Sequence, residues 1–264
     1  MTHSPADLLT PAAVNALLLL AFRLGGMLLV APMFSSRTVP VMVRTSLLIV
    51  LTWFLAPVAV GAAGAGAPSL TPLNALTETM VGFAIGLGAA VLLAGAEAAG
   101  EILSLSIGLS GAAALDPVSH ASLPVMGQFT NLFALTLLLS LDGHIGMLDA
   151  LAATLRFLPV GAVVEGADGL IAMVALGSRL FLLGLQFAAP VVMVVMLANL
   201  ALGVLSRAAP QMNILAVAFP VQIGLGLIAL FASLPLIATF FTGWDRVYDE
   251  VISQVLFALS GGRR

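Results

Sequence analysis

Lysine and cysteine are absent from these 264 residues, and charge of either sign is scarce. Without cysteine there is no disulfide framework and no thiolate metal site. Only 8% of the chain is charged, where a soluble domain carries about 25%. A chain so poor in charge cannot cover its own surface in water, which excludes an ordinary soluble domain. All nine basic residues are arginine. Arginine keeps its charge when buried and binds carbonyls and carboxylates in a planar fork, so it suits enclosed sites. A net charge of −3 is too small to argue for an acidic or basic partner, and no nucleic acid is expected.

Catalytic groupings are scarce too. The three histidines, His3, His120 and His144, form no pair at metal-ligand spacing. No Ser/His/Asp set is apparent, so no enzyme activity, metal or cofactor is expected. Asp116 and His120 lie four apart, and Asp142 and His144 two apart. Each pair can be read as a proton relay at membrane depth. The plainer reading makes Asp116-Pro117 and Asp142-Gly143 the starts of turns. Glu97 and Glu101 share a helix face, where they can hold a cation, meet a partner's arginine or mark a wet helix end.

What is present is apolar: 61% of the chain is hydrophobic and its mean hydropathy is +1.18. The runs are Ala12–Val30, Val39–Val60, Leu76–Ala96 continuing through Ile102–Leu115, Leu123–Leu141, Ile145–Val164, Leu170–Leu205 and Ile214–Phe241. A short amphipathic helix is expected at about Arg246–Leu259. Met1–Pro11 has no positive n-region, so Ala12–Val30 reads as a permanent helix rather than a cleaved signal. Gly61–Leu70 is a loop without the Gly-Lys-Ser/Thr ending of a phosphate loop. The reading is an all-α membrane protein forming one domain over residues 1–264, with no soluble domain. Leu170–Leu205 is overlong for one span, with Gln186 and Pro190 offering a break, and Ile102–Leu115 is too short alone. Such runs fit bent helices and helical hairpins. The positive-inside bias puts Arg37, Arg44 and the Arg263-Arg264 tail in the cytoplasm, with Gly61–Leu73 and the N-terminus outside.

Small residues recur every four positions: Gly82, Gly86, Ala90, Ala94 and Ala98, then Ala96, Gly100, Ser104, Gly108 and Ala112. On a helix each row is a smooth stripe that lets another backbone come close. A second anomaly is a polar knot between two apolar runs, made of Arg207, Pro210, Gln211 and Asn213. It reads as a helix turn in which Pro210 stops one helix, Asn213 caps the next and Arg207 bonds the freed carbonyls. A subunit contact at the same place is the functional addition.

Four stretches carry a resemblance. Leu197–Pro220 contains LG-x-x-x-R-x-x-P-Q-x-N, and Ala31–Pro57 a Pro-x-Phe turn, an Arg, a Pro and a second Arg before a span. Gly100–Leu151 holds Gly-Glu, Asp-Pro, Pro-x-x-x-Gln-Phe and Asp-Gly-His in order, and Leu158–Gly161 is an L-P-x-G turn. Together they resemble the FliR family of flagellar export-gate proteins and its counterparts in virulence type III secretion systems. Leu215 stands where an aromatic is usual and Ala218 where a glycine is usual.

The resemblance implies a FliP-like unit joined to a FliQ-like unit, set in a closed helical ring with FliP and FliQ homologues. A FlhB homologue docks on that ring, and unfolded flagellar subunits pass through it. The implied location is the inner membrane, in the flagellar basal body. The resemblance also implies a channel plug in the loop Gly108–Pro124, with Gly108, Ser110, Gly111, Ala114, Asp116, Pro117, His120 and Pro124. Small apolar residues there can seal a pore without binding strongly. Met193, Met196 and Met212 can form a flexible gasket or simply fill the core. A transporter or channel acting alone is the other reading, against which stand the lack of an inverted repeat and the few ion ligands.

Overall fold

The computed structural model describes residues 10–36, 39–62, 68–109, 125–162, 168–211, 214–243, 248 and 252–254. Among them the regular structure is helical throughout. Helix α1 is Pro11–Val30, capped by the Thr10 hydroxyl, which accepts from the Ala13 N–H at 3.3 Å. Pro11 opens the helix, where its missing N–H costs nothing. One turn, α2, follows at Pro32–Ser35, then α3 at Val41–Ala62. Helix α4 is Pro72–Ile107, and the Thr71 hydroxyl accepts from the Asn74 N–H near its start. It ends at Gly108, whose φ of +84° suits glycine. Helices α5, Val125–Ser140, and α6, Gly143–Phe157, meet at a 65° bend. Asp142 makes that bend in the left-handed conformation, with φ 55°. Helices α7, Asp168–Ala208, and α8, Ile214–Thr242, complete the set.

Two expectations about helix breaks need correcting. The run Leu170–Leu205 does not divide at Gln186 or Pro190; α7 passes through Pro190 as one helix of 41 residues. Phe187, Ala188, Val191 and Val195 around the proline are all buried, and that packing holds the helix despite the lost hydrogen bond. Nor do Glu97 and Glu101 mark a wet helix end; the run from Leu76 continues past them, as expected. Residues 102–107 are the last turns of α4, because Glu97 and Glu101 lie on an exposed face and interrupt nothing.

Five helices among the described residues are long and apolar enough to cross a membrane: α1, α3, α4, Phe181–Ala208 of α7 and Val217–Thr239 of α8. The bent pair α5–α6 makes a sixth if it counts as one span. At 1.5 Å per residue α4 is ~54 Å long and α7 ~62 Å, against a hydrocarbon core of about 30 Å.

Two compact units emerge. The first holds Met1–Val91, Asp142–Gly177 and Trp244–Arg264; the second holds Leu92–Leu141 and Ser178–Gly243. In the first, Leu19, Leu20, Leu24 and Met27 of α1 are buried with Ile85 of α4 and Met147, Leu151 and Leu155 of α6. In the second, Leu103 and Ile107 join Phe187, Val191, Val195, Leu230 and Phe241. The Phe187 and Phe241 rings stack with centroids 5.6 Å apart. Lipid is as apolar as these side chains, so within a bilayer close packing and polar contacts hold helices together more than burial does.

Candidate functional site

Glycine brings the backbones of α1 and α4 together. A Cβ on Gly26 would lie 2.2 Å from the Thr79 carbonyl oxygen, and one on Gly82 1.7 Å from that of Arg23. One on Gly86 would lie 2.7 Å from the Met27 carbonyl oxygen. Only glycine fits at these three places. Rising numbers on α1 meet rising numbers on α4, so the two helices run in the same direction.

Beside this seam lies a buried ion pair. Arg23 is 0% exposed and Glu78 2%. The Arg23 Nε donates to Glu78 Oε2 at 2.6 Å. Its Nη1 donates to the Thr154 hydroxyl at 3.1 Å and to the Leu158 carbonyl at 3.0 Å. The other Glu78 oxygen, Oε1, accepts from the Gly161 N–H at 2.8 Å. Gly161 has φ +82°, and a Cβ there would press on Pro68 at 2.8 Å. The L-P-x-G turn after α6 is therefore held at both ends, by Arg23 at Leu158 and by Glu78 at Gly161. Arg23 Nη2 is buried without a hydrogen-bond partner among the described residues. Removing either member of such a pair leaves an uncompensated buried charge, at a cost of about 3–5 kcal/mol.

Sequence reasoning missed this centre. The usable signal was a lone arginine inside the apolar run Ala12–Val30 and a lone carboxylate, Glu78, inside the run Leu76–Ala96, which require each other in an apolar medium. The Leu158–Gly161 motif was seen, but its partners lie 83 and 135 residues away along the chain.

The expected site residues are dispersed. Of the small-residue stripe, Gly82 and Gly86 are buried on α1, while Ala90 and Ala94 are half-buried. In the second unit Gly100 plays the equivalent part, since its Cβ would meet the Met126 carbonyl oxygen of α5 at 2.5 Å. Of the loop Gly108–Pro124, only Gly108 and Leu109 are described. Ser110, Gly111, Ala114, Asp116, Pro117, His120 and Pro124 lie outside the described residues. Gly108 packs by Phe219 and Gln222 of α8, and Gln222 donates to the side-chain oxygen of Asn199 on α7. Met193 and Met196 are each 61% exposed on α7; Met212 lies outside the described residues.

At the polar knot α7 stops at Ala208, two residues before Pro210. Arg207, Pro210 and Gln211 are exposed, and Asn213 lies outside the described residues. The Arg207 side chain has no hydrogen-bond partner among the described residues. This corrects the expectation that it folds back on the freed carbonyls: the last turn of α7 is exposed, so water can reach both the guanidinium and the carbonyls. Glu97 and Glu101 are exposed within α4 rather than at its end, and Glu97 accepts from Asn131 Nδ2 at 3.1 Å. Asp142 stands at the turn before α6, where its carbonyl accepts from the Ile145 and Gly146 N–H groups, while its side chain makes no capping bond.

A bundle of apolar helices, sewn by glycine seams and a desolvated ion pair, defines an α-helical membrane protein. Residues 14–245 match the family described as bacterial export proteins, family 1, and the chain belongs to that family. It is 34% identical to the flagellar biosynthetic protein FliR of Escherichia coli K12, with 87% of each chain covered. It is 30% identical to FliR of Bacillus subtilis 168, covering 84% of this chain and 87% of that one. It is also 30% identical to FliR of Aquifex aeolicus VF5, covering 90% and 94%.

Proposed function

We propose that this chain is a subunit of the flagellar type III protein export gate in the bacterial inner membrane. It assembles with FliP and FliQ homologues as a FliP-like unit joined to a FliQ-like unit. The resulting helical ring is docked by a FlhB homologue and passes unfolded flagellar subunits. The observation that carries this reading is the family match from residue 14 to residue 245, which runs through both units. The exposed faces support it. Trp53 and Phe54 of α3, Leu197, Leu200 and Val204 of α7 and Ile228 and Phe231 of α8 are all more than half exposed. Such faces need lipid or protein against them, and α4 and α7 exceed the thickness of a bilayer.

The loop Gly108–Pro124 serves as the channel plug in this reading. Deleting Gly111–Ser119 in cells carrying the assembled gate raises ion leak across the inner membrane. Unchanged conductance rejects the plug. The gate assignment is tested by expressing the chain in a flagellate bacterium lacking its own FliR. Restored swimming in soft agar, together with filament assembly, is expected. Full membrane insertion with no swimming counts against it. One observation favours a stand-alone transporter, the charge pair within an apolar unit; a chain that is stable and active in ion flux by itself would establish that reading.

A further inference from the structure

The Leu158–Gly161 turn is fixed from several directions. Arg23 Nη1 donates to the Leu158 carbonyl, and the Gly161 N–H donates to Glu78 Oε1. Within the turn, the Leu158 N–H donates to the Thr154 carbonyl at 2.7 Å and the Ala162 N–H to the Pro159 carbonyl at 3.1 Å. Pro68 packs on Gly161 and is itself held by Asn15, whose Nδ2 donates to the Pro68 carbonyl at 3.2 Å. Leu158 and Val160 are buried. Two side chains of α1 and one of α4 thus set the backbone that leaves α6.

This frame carries outward Arg156 and Phe157, the last two residues of α6. Phe157 is 81% exposed, the most exposed large apolar side chain among the described residues. Arg156 is exposed too, and its guanidinium makes no hydrogen bond or ion pair among the described residues. Asp149, exposed on the same face of α6, lies seven residues back, about 10 Å along the axis, too far to pair with it. Leu73 and Leu76, which follow Pro68 closely in the chain, are more than half exposed. We propose that Arg156 and Phe157 anchor a subunit contact, an inference that rests on the export-gate reading above. The partner subunit offers an apolar pocket for the Phe157 ring, with a carboxylate beside it for Arg156.

Aromatic side chains and arginine are the types most enriched among the residues that dominate protein interfaces. Presented from a fixed backbone, they lose little freedom on binding. Lipid gives no such return. Its tails are as apolar as a partner's side chains, but they are fluid, so they fit any shape and reward none in particular. A guanidinium at the edge of an apolar anchor is matched by a carboxylate, in a charge-assisted contact that fixes orientation.

The test uses the full-length tagged chain, co-expressed with its FliP and FliQ homologues. Phe157→Ala and Arg156→Glu are expected to leave its amount in membranes unchanged, because neither side chain is buried. Each is expected to lower the co-purified partners by roughly tenfold or more, whereas Arg156→Lys, which keeps the charge, retains most of them. A photoreactive p-benzoylphenylalanine at position 157, irradiated in membranes, cross-links to one of the two partner subunits, at an apolar residue next to an Asp or Glu. Cross-linking to phospholipid alone overturns the inference. So does full co-purification with both Phe157→Ala and Arg156→Glu where the parent chain also co-purifies, and the gate reading then still stands. A parent chain that binds neither homologue overturns both.

Discussion

Helices α1 and α7 are both apolar enough to cross a membrane, yet the fold treats them oppositely. Half of α1 is buried within the chain, against 22% of the Phe181–Ala208 portion of α7. Apolarity does not decide which helix is enclosed. Glycine at a contact and a polar group needing a partner do. Helix α1 carries Gly26 in the seam and Arg23, whose bonds reach α4, α6 and the turn beyond. Among the described residues of α7, Gly184 lies close to α4, with 3.2 Å from its ideal Cβ to the Gly95 carbonyl oxygen. Further along, Gly203 has nothing within 4 Å, and Leu197, Leu200 and Val204 face outward. One helix is specified by the chain itself, and the other is left for whatever surrounds it.

The strongest way to break this contrast is Gly82→Leu. A side chain there runs into the Arg23 backbone, and near-complete loss of the protein from membranes is expected on immunoblot. Gly203→Leu is the control, and full accumulation is expected because its position is open. Equal behaviour of the two variants would erase the distinction. Next in size is Glu78→Leu, which leaves Arg23 unpaired and is expected to cost about 3–5 kcal/mol, read as lowered thermal stability in detergent. Arg207→Ala sharpens the other side. Its side chain is exposed and makes no hydrogen bond to a described residue, so the protein level should hold while co-purification with a FliP homologue falls; a fully retained complex would remove Arg207 from the contact. The smallest expected effect is Tyr248→Phe. The Tyr248 hydroxyl donates to the Ile85 carbonyl at 2.9 Å, and its loss should cost about 1 kcal/mol, seen as a small drop in melting temperature.

Most of the helices were legible from residue pattern. The apolar runs placed α1, α3, α5, α7 and α8 within a few residues, because a bilayer-type chain writes its helices as unbroken apolar stretches. The polar knot was legible as a helix end, since Pro210 cannot continue the ladder of α7. The small-residue rows were visible as periodicity, but the sequence is silent on what they face. Only the three-dimensional arrangement brings Gly82 to Arg23 and Gly100 to Met126. The ion pair was hidden for a similar reason. A charge inside an apolar run signals that a partner exists, but 55 residues separate Arg23 from Glu78, and nothing local links them. Helix breaks were misjudged where proline and glutamate were read without their surroundings. Pro190 is held by buried neighbours, and Glu97 and Glu101 sit where a helix surface is open.

The central claim is that the exposed apolar faces of α3, α7 and α8 meet partner subunits in an export gate. The most direct test is purification of the tagged chain in mild detergent from cells co-expressing its FliP and FliQ homologues. The account predicts a single hetero-oligomeric species containing all three, and a chain that aggregates or is degraded when expressed alone. A monodisperse, stable chain that elutes without either partner would contradict it.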